Sequence, residues 1–493
     1  MKFGPQKGHI ACIFDDFFKD FGLVFAAILV SLISGDMDLF LENIGVLVIV
    51  LLAPVLRVIG YLTTTYAVDE EKLRIKSGLF TKNELEVPLS TITTVDFSQN
   101  IFHQIFGVYK LNIDNNANIA DGQTKVHMTL KKDDANAVKS LLMQGRQGMD
   151  GSNFAAEQDI AALPQREEGT RYEVKTSDVL LMGLLKSKLL FFLELLGGIA
   201  VVVNLIPIDF EDEAAMEHIF DVINALGVTP VALIGLIMLF VVGSACGMVG
   251  SFVRYYGFKV LDNGEAVKIE YGLLNRKTYT IAKKKISGIY YEQSALMRLA
   301  KVGILNLMAV GYGAGTDEDA SEEAILFPLL KEGQLLEIIG RILPEMQNVE
   351  TYQKPESRAL RYFFIRFSIF FALALLVGSF FLSKADDFFQ GTWILAALYL
   401  LSRLGVAVMD YLTTGAYGNE QHFSLCYGGY KKTTAFLKTS MIESIESGGS
   451  IWKRKRAISD ITIGCLAPSG ESIQIVKNLP SKTFEELKNY LIY

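Results

Sequence analysis

The chain has 493 residues, 51% of them hydrophobic, with a formal net charge of −7 and a mean hydropathy of +0.31. That is too apolar for an ordinary soluble enzyme, and the acidic balance argues against nucleic acid, which calls for a basic surface. Four scattered cysteines (Cys12, Cys246, Cys426 and Cys465) form no C-x-x-C pair, which excludes a disulfide framework or a thiolate zinc site and fits a reducing compartment.

Asp15, Asp16 and Asp20 precede the first apolar run, so the start lacks the basic region of a cleavable signal peptide. Six apolar runs follow along the chain: Phe21–Ile33, Ile44–Leu62, Leu189–Pro207, Val228–Val253, Phe367–Leu382 and Thr392–Val408. A helix needs ~20 mostly apolar residues to cross the hydrocarbon core. The second and fourth reach that length, and the short first and fifth are extended by Phe17, Phe18, Phe363 and Phe364 at the interface. The expected spans therefore form three hairpins.

Acidic residues crowd the hairpin loops: Asp36, Asp38 and Glu42, then Asp209, Glu211, Asp212, Glu213, Glu217 and Asp221, then Asp386 and Asp387. Basic residues gather at the other ends, at Arg57, Lys186, Lys188, Arg254, Arg361, Arg366 and Arg403. The positive-inside rule then places the N-terminus and the intervening blocks in the cytoplasm of a multi-pass cell-membrane protein. Arg57 and Arg403 read as snorkelling residues, Glu194 is the intramembrane polar candidate, and the stripe of Gly243, Ser244, Ala245, Gly247 and Gly250 reads as close helix packing.

The unit of hairpin plus β-rich block occurs three times. Tyr61-Leu62-Thr63-Thr64 recurs as Tyr411-Leu412-Thr413-Thr414, and Tyr61, Tyr255 and Tyr411 each stand 17 residues before a glycine, Gly78, Gly272 and Gly428. Apolar residues keep fixed offsets from that glycine, as in Leu73, Val267 and Phe423, or Ile92, Ile286 and Ile442. Registered internal repeats outrank any local motif in deciding architecture. Each block opens as strand, Gly turn, strand. Further strands are predicted over Val108–Ile113 and Val126–Leu130, Ile304–Val310 and Ala324–Leu329, Ile461–Gly464 and Ser472–Val476. Amphipathic helices close the blocks at Ala135–Met143, Glu332–Leu343 and Thr483–Leu491, with Asp133 and Ser481 as N-caps of the first and third. About seven strands and one helix is the plan of a pleckstrin-homology (PH) domain.

The expected architecture is an α+β membrane protein. Transmembrane hairpins at 1–62, 177–254 and 360–410 alternate with PH-like domains at 63–143, 255–346 and 411–493, with linkers at 144–176 and 347–359. The strand endings Gly78–Phe80 and Gly272–Leu274, the run Pro88–Ile92 and the segment Gln99–Gly107 resemble the bacterial PH domain, membrane-flanked family. The second copy keeps Gln293, Leu296, Arg298 and Gly303, with two extra residues before the glycine, and the third is divergent, with Gly428-Gly429-Tyr430 and Gly448–Arg456 in those places. The resemblance implies a membrane-embedded protein with PH-like domains at the inner face and no established enzymatic activity.

The residues offer no catalytic constellation and no metal or cofactor site. The five histidines (His9, His103, His127, His218 and His422) lack ligand spacing and read as surface or capping residues. Gly311–Thr316 reads as a hairpin loop, because an acidic run and not Gly-Lys-Ser/Thr follows it. Basic clusters carry the only binding chemistry. Trp452, Lys453, Arg454, Lys455 and Arg456, with Lys283, Lys284 and Lys285, are the lipid-surface candidates. Near an anionic leaflet each charge contributes ~1 kcal/mol. Arg276 and Lys277, and Lys72, Arg74, Lys76 and Lys82, add to these. The expected partners are anionic inner-leaflet lipids and another membrane protein or a second copy of the chain. The expected function is a non-enzymatic scaffold in envelope maintenance or tolerance of membrane-active agents. A transporter or lipid-handling protein using the six-helix bundle, with Glu194 as its polar residue, is the alternative.

Overall fold

Alternating apolar and polar residues on each side of Gly78, Gly272 and Gly428 give three antiparallel hairpins, because period-two alternation buries one face of a strand. In a computed structural model, which describes residues 3–15, 57–69, 71–78, 82–115, 125–147, 169–186, 228–309, 324–347, 351–364, 404–466 and 473–491, the strands of these hairpins are Lys72–Ser77 with Asn83–Pro88, Ala266–Tyr271 with Arg276–Ala282, and His422–Tyr427 with Lys432–Lys438. All three glycines have φ near +100°, a region open to glycine and strained for other residues.

The first compact unit combines residues 1–173 with 257–284 and 311–322. It holds a four-stranded sheet in the order β1 (Phe3–Gln6), β2 (Thr65–Val68), β3 (Lys72–Ser77), β4 (Asn83–Pro88). Its second sheet has seven strands: β7 (Lys125–Lys131), β6 (Val108–Asn115), β5 (Ile92–Gln99), β11 (Arg276–Ala282), β10 (Ala266–Tyr271), β9 (Lys259–Asp262) and β8 (Thr170–Glu173). Val68, Leu73 and Val87 of the first sheet, with Val95, Leu111, Ile113 and Met128 of the second, form one buried core. Ala135, Val138 and Leu142 close it from helix α2 (Lys132–Gln147), which follows the short α1 (Ile101–Phe106) in the chain.

The second unit holds 174–256, 285–310 and 323–493. Its larger sheet runs β14 (Ala324–Lys331), β13 (Val302–Ala309), β12 (Ile286–Gln293), β17 (Lys432–Lys438), β16 (His422–Tyr427), β15 (Gly415–Gly418). A three-stranded sheet follows, β18 (Ile442–Gly448), β19 (Ile458–Cys465), β20 (Ile473–Pro480). Phe423, Leu425 and Leu437 pack on Ile461, Ile463 and Val476, and Tyr290 and Met308 of the second block join that core. Among the described residues this unit includes helices α3 (Thr176–Leu185), α4 (Val228–Tyr255), α5 (Ala295–Leu299), α6 (Leu335–Ile342), α7 (Ile451–Arg454) and α8 (Ser481–Asn489).

The compact units thus cut through the second block. Its strands β9–β11 extend the sheet of block one, and its strands β12–β14 extend into block three. Each junction is an antiparallel strand pair whose main-chain hydrogen bonds replace an open edge.

Among the described residues no helix is long and apolar enough to cross a membrane. The expected six transmembrane helices in three hairpins are therefore corrected. Of the second and sixth apolar runs the described residues 57–63 and 404–413 are helical. The first, third and fifth runs lie outside the described residues. At the small-residue stripe Gly247 of α4 meets Gly183 of α3, where a Cβ on Gly183 would come within 2.6 Å of the Gly247 carbonyl oxygen, whereas Gly250 has open space where a Cβ would stand. The repeated Thr-Thr pair ends the two helical segments alike. Thr64 and Thr414 donate to the carbonyls of Gly60 and Asp410 four residues back, at 2.7 and 2.6 Å, satisfying last-turn acceptors.

Three local expectations change. Asp133 lies inside the first turn of α2, and α8 begins at Ser481 with Pro480 before it, so neither side chain is an N-cap. The second block has no two-residue insertion either. Lys301, with φ 54°, takes the left-handed position that Gly107 (φ 64°) and Ala457 (φ 53°) hold in the other copies. Gly303 instead lies one residue inside β13, where a Cβ would strike the Tyr291 ring. The linker 144–176 ends in β8, a strand of the seven-stranded sheet, and Gln353 of the 347–359 linker bridges to Ala416.

Candidate functional site

The basic segment 451–456 starts from a capped turn. Ser450 accepts from the Lys453 backbone N–H, as Ser294 does from Met297 and Asn100 from His103, so one short helix follows β5, β12 and β18. On α7, Ile451 and Trp452 are 71% and 73% exposed, and Arg454, Lys455 and Arg456 are exposed beside them. The Lys455 ammonium lies 5.9 Å from the Trp452 ring centroid.

Lys453 departs from the expected lipid-facing role. Its ammonium contacts both carboxylate oxygens of Asp460 at 2.8 and 2.7 Å, and Asp460 also accepts from the Asn478 backbone N–H. Tyr362 lies 5.9 Å beneath the same ammonium and donates its hydroxyl to the Trp452 carbonyl at 2.9 Å, fixing α7 on the segment 351–364.

The other cation groups are likewise partly consumed. Lys283 bridges to Asp262 at 2.9 Å and is mostly buried, Lys284 is exposed, and Lys285 is half-buried. In block one Lys72, Arg74 and Lys76 are tied to Glu86 and Glu84 across the β3–β4 pair at 2.6, 3.1 and 3.0 Å. The hydrogen bond from Lys72, with the charges of Lys72, Arg74 and Lys76, holds the Glu86 carboxyl below its ordinary range. Glu194 and the loop Gly311–Thr316 lie outside the described residues.

The histidines divide. His9 caps a short 3-10 turn through the Ala11 N–H, and His127 is exposed with Nδ1 2.9 Å from Asn112 Oδ1. His103 and His422 are buried, contrary to the surface expectation. His103 Nε2 meets Asp15 Oδ1 at 2.8 Å, and Lys110 lies 3.4 Å from the other oxygen of Asp15. Burial lowers the His422 pKa. His218 lies outside the described residues. Cys12 beside the His103 pair is pushed up to about 11 by burial, which makes it a poor nucleophile. Among the described residues no group of His, Cys, Asp or Glu is arranged to hold a metal.

Sequence reasoning missed a docking contact that recurs with the repeat. From α1, Gln104 donates to the carbonyls of Leu273 and Leu274, at 3.2 and 3.0 Å, in the turn of the β10–β11 hairpin that pairs with β5. From α5, Arg298 donates to the Gly429 carbonyl at 2.8 Å, in the turn of the β16–β17 hairpin that pairs with β12. Gln104 and Arg298 stand at the same offset from Gly78 and Gly272, and Arg454 of α7 stands there from Gly428. The signal was in the register, in the shared offset of Gln104, Arg298 and Arg454 from the turn glycine.

A protein-family model described as "Bacterial PH domain" matches residues 21–146 and 219–346, about half of the chain and its first two blocks. The chain is also 23% identical over 435 residues to a Bacillus subtilis (strain 168) protein named UPF0699 transmembrane protein YdbT, covering 85% of this chain and 82% of that one.

Proposed function

The chain belongs to the bacterial PH domain family, and from that premise we propose that it is a non-enzymatic scaffold working at a membrane, its β blocks on the cytoplasmic side. The observation that carries this reading is the repeated junction, in which a Gly-turn hairpin of one block docks on the edge strand of the block before it. In each junction one block fills the strand edge of another, and edge pairing is also a general mode of peptide recognition. The membrane part is supported by the apolar composition, by the positive-inside pattern and by the name of the Bacillus relative. A role in envelope maintenance or tolerance of membrane-active agents belongs to the same reading.

Lipid contact is assigned to the tips of the three short helices. Ile105 (71% exposed) and Leu299 (83%) stand at the position that Lys455 takes on α7. Apolar tips suit the headgroup boundary, and Lys455 with Arg456 suits an anionic leaflet. Photo-crosslinkers at 105, 299 and 455 in the intact chain, in native membranes, test this. Lipid or protein adducts at these tips, with none at a control on Lys132, support the reading. No adduct at any tip would sink it.

A further inference from the structure

The chain contains three equivalent acceptor strands, β5, β12 and β18, and three equivalent donor hairpins, β3–β4, β10–β11 and β16–β17. The second hairpin docks on β5 and the third on β12 in one register: Gln99 faces Arg276, and at the equivalent place Gln293 faces Lys432. Among the described residues, one acceptor and one donor are left. β18 ends its three-stranded sheet, and β4 ends its four-stranded sheet. These remnants are the two parts of which the internal seven-stranded sheet is made, since β7-β6-β5 is followed there by β11-β10-β9-β8. Even the leading strand matches, because β1 pairs with β2 as β8 pairs with β9.

We propose that β18 of one copy of this chain takes β4 of a second copy, giving an intermolecular sheet ordered β20-β19-β18-β4-β3-β2-β1. This stands apart from the scaffold reading, since it follows from the pairing pattern whatever the assembly does. Carried over, the internal register sets Gly448 opposite Asn83, Ser447 opposite Glu84, Glu446 opposite Leu85 and Ile445 opposite Glu86. No two glutamates face each other directly, and both β4 glutamates are already bridged to β3. Two further observations on α7 agree. Arg454 occupies the place from which Gln104 and Arg298 reach a docked hairpin. Ile451 and Trp452 are bare, whereas their counterparts Ile101, Phe102, Ala295 and Leu296, at junctions that are filled, are half-buried. The contact is head-to-tail, so it closes into a ring or continues as a chain of copies.

The test uses the full-length protein in native membranes, with Cys12 and Cys246 changed to Ser. Asn83→Cys and Gly448→Cys are placed on separate, differently tagged copies. Ser98→Cys with Lys277→Cys in one chain is the positive control, because those residues already face each other at the equivalent place. The expected result is a disulfide-linked mixed dimer on oxidation, absent when either variant is present alone. Arg454→Leu should cut its yield about tenfold, the loss of one charge-assisted hydrogen bond. Arg454→Gln, which installs the side chain block one uses, should restore it. The proposal is overturned if the control crosslinks while the mixed copies do not, including when a chain carrying both cysteines closes on itself. Capture of a lipid or an unrelated protein at position 448 in place of a second copy overturns it too.

Discussion

His422 is fully buried on β16 beside Tyr417, and burial holds its pKa below the ordinary 6.5. The backbone hydrogen bond at Glu345 opposes that shift without reversing it. The unfolded chain therefore takes a proton before the folded one as the pH drops. Stability is intact above about pH 6.5 and falls between there and the lowered native value, by at most about 1.4 kcal/mol for each pH unit. Denaturation of the intact protein at a series of pH values should show this acid limb, and His422→Gln should flatten it. Gly272 makes a second residue-scale case. Its φ is +112°, and an added Cβ would collide with the Asn275 carbonyl oxygen. Gly272→Ala should cost at least about 2 kcal/mol, combining left-handed strain with that clash. A melting temperature equal to that of the parent would show the β10–β11 turn to be more pliable than its geometry says.

Among the elements, α7 splits into structural and surface residues that one line of basic letters cannot distinguish. Lys453 and Asp460 are mostly buried against each other, so Lys453→Gln should destabilise block three by about 1–3 kcal/mol, leaving a buried carboxylate short of its partner. Arg456→Gln should leave stability alone and reduce photo-adducts with anionic lipid at position 455. The reverse pattern would return Lys453 to the lipid surface. The strand pattern was legible because alternation and the Gly turn are local. The strand expected at Val108–Ile113 runs Val108–Asn115, and that at Ala324–Leu329 runs Ala324–Lys331. The partners of Lys453, Lys283 and His103 were not legible, since Asp262 is 21 residues from Lys283 in sequence and Asp15 is 88 residues from His103. Nor was the α8 cap, because a Pro-Ser start offers a hydroxyl one residue too late.

At the scale of the whole chain, three registered repeats announced three blocks, but not that consecutive blocks share sheets. Hydrophobic alternation says which face of a strand is buried and is silent about which strand lies at its edge. The same limit applies to the six apolar runs: composition marks them as apolar, while helix length comes only from structure, and no described helix qualifies as a span. Sheet sharing has a consequence for deletion. Removing 411–493 takes away β15–β17, which supply the pairing of β12 over six residue pairs from Gly288 to Gln293. It also uncovers Tyr290 and Met308, which are buried in the core shared with block three. The remaining β12 would be a bare edge of high β-propensity, Ile286–Gln293, with a newly exposed apolar patch beside it. The deleted chain should therefore aggregate on extraction, and proteolysis should cut it within 285–310 at a rate far above that of the intact chain. Restoring β15–β17 alone, as 411–440, should rescue β12 only in part, because Phe423, Leu425 and Leu437 would then lack Ile461, Ile463 and Val476 above them. If the deletion leaves protection of 285–310 unchanged, block two folds independently and the shared sheet is a docking of finished domains.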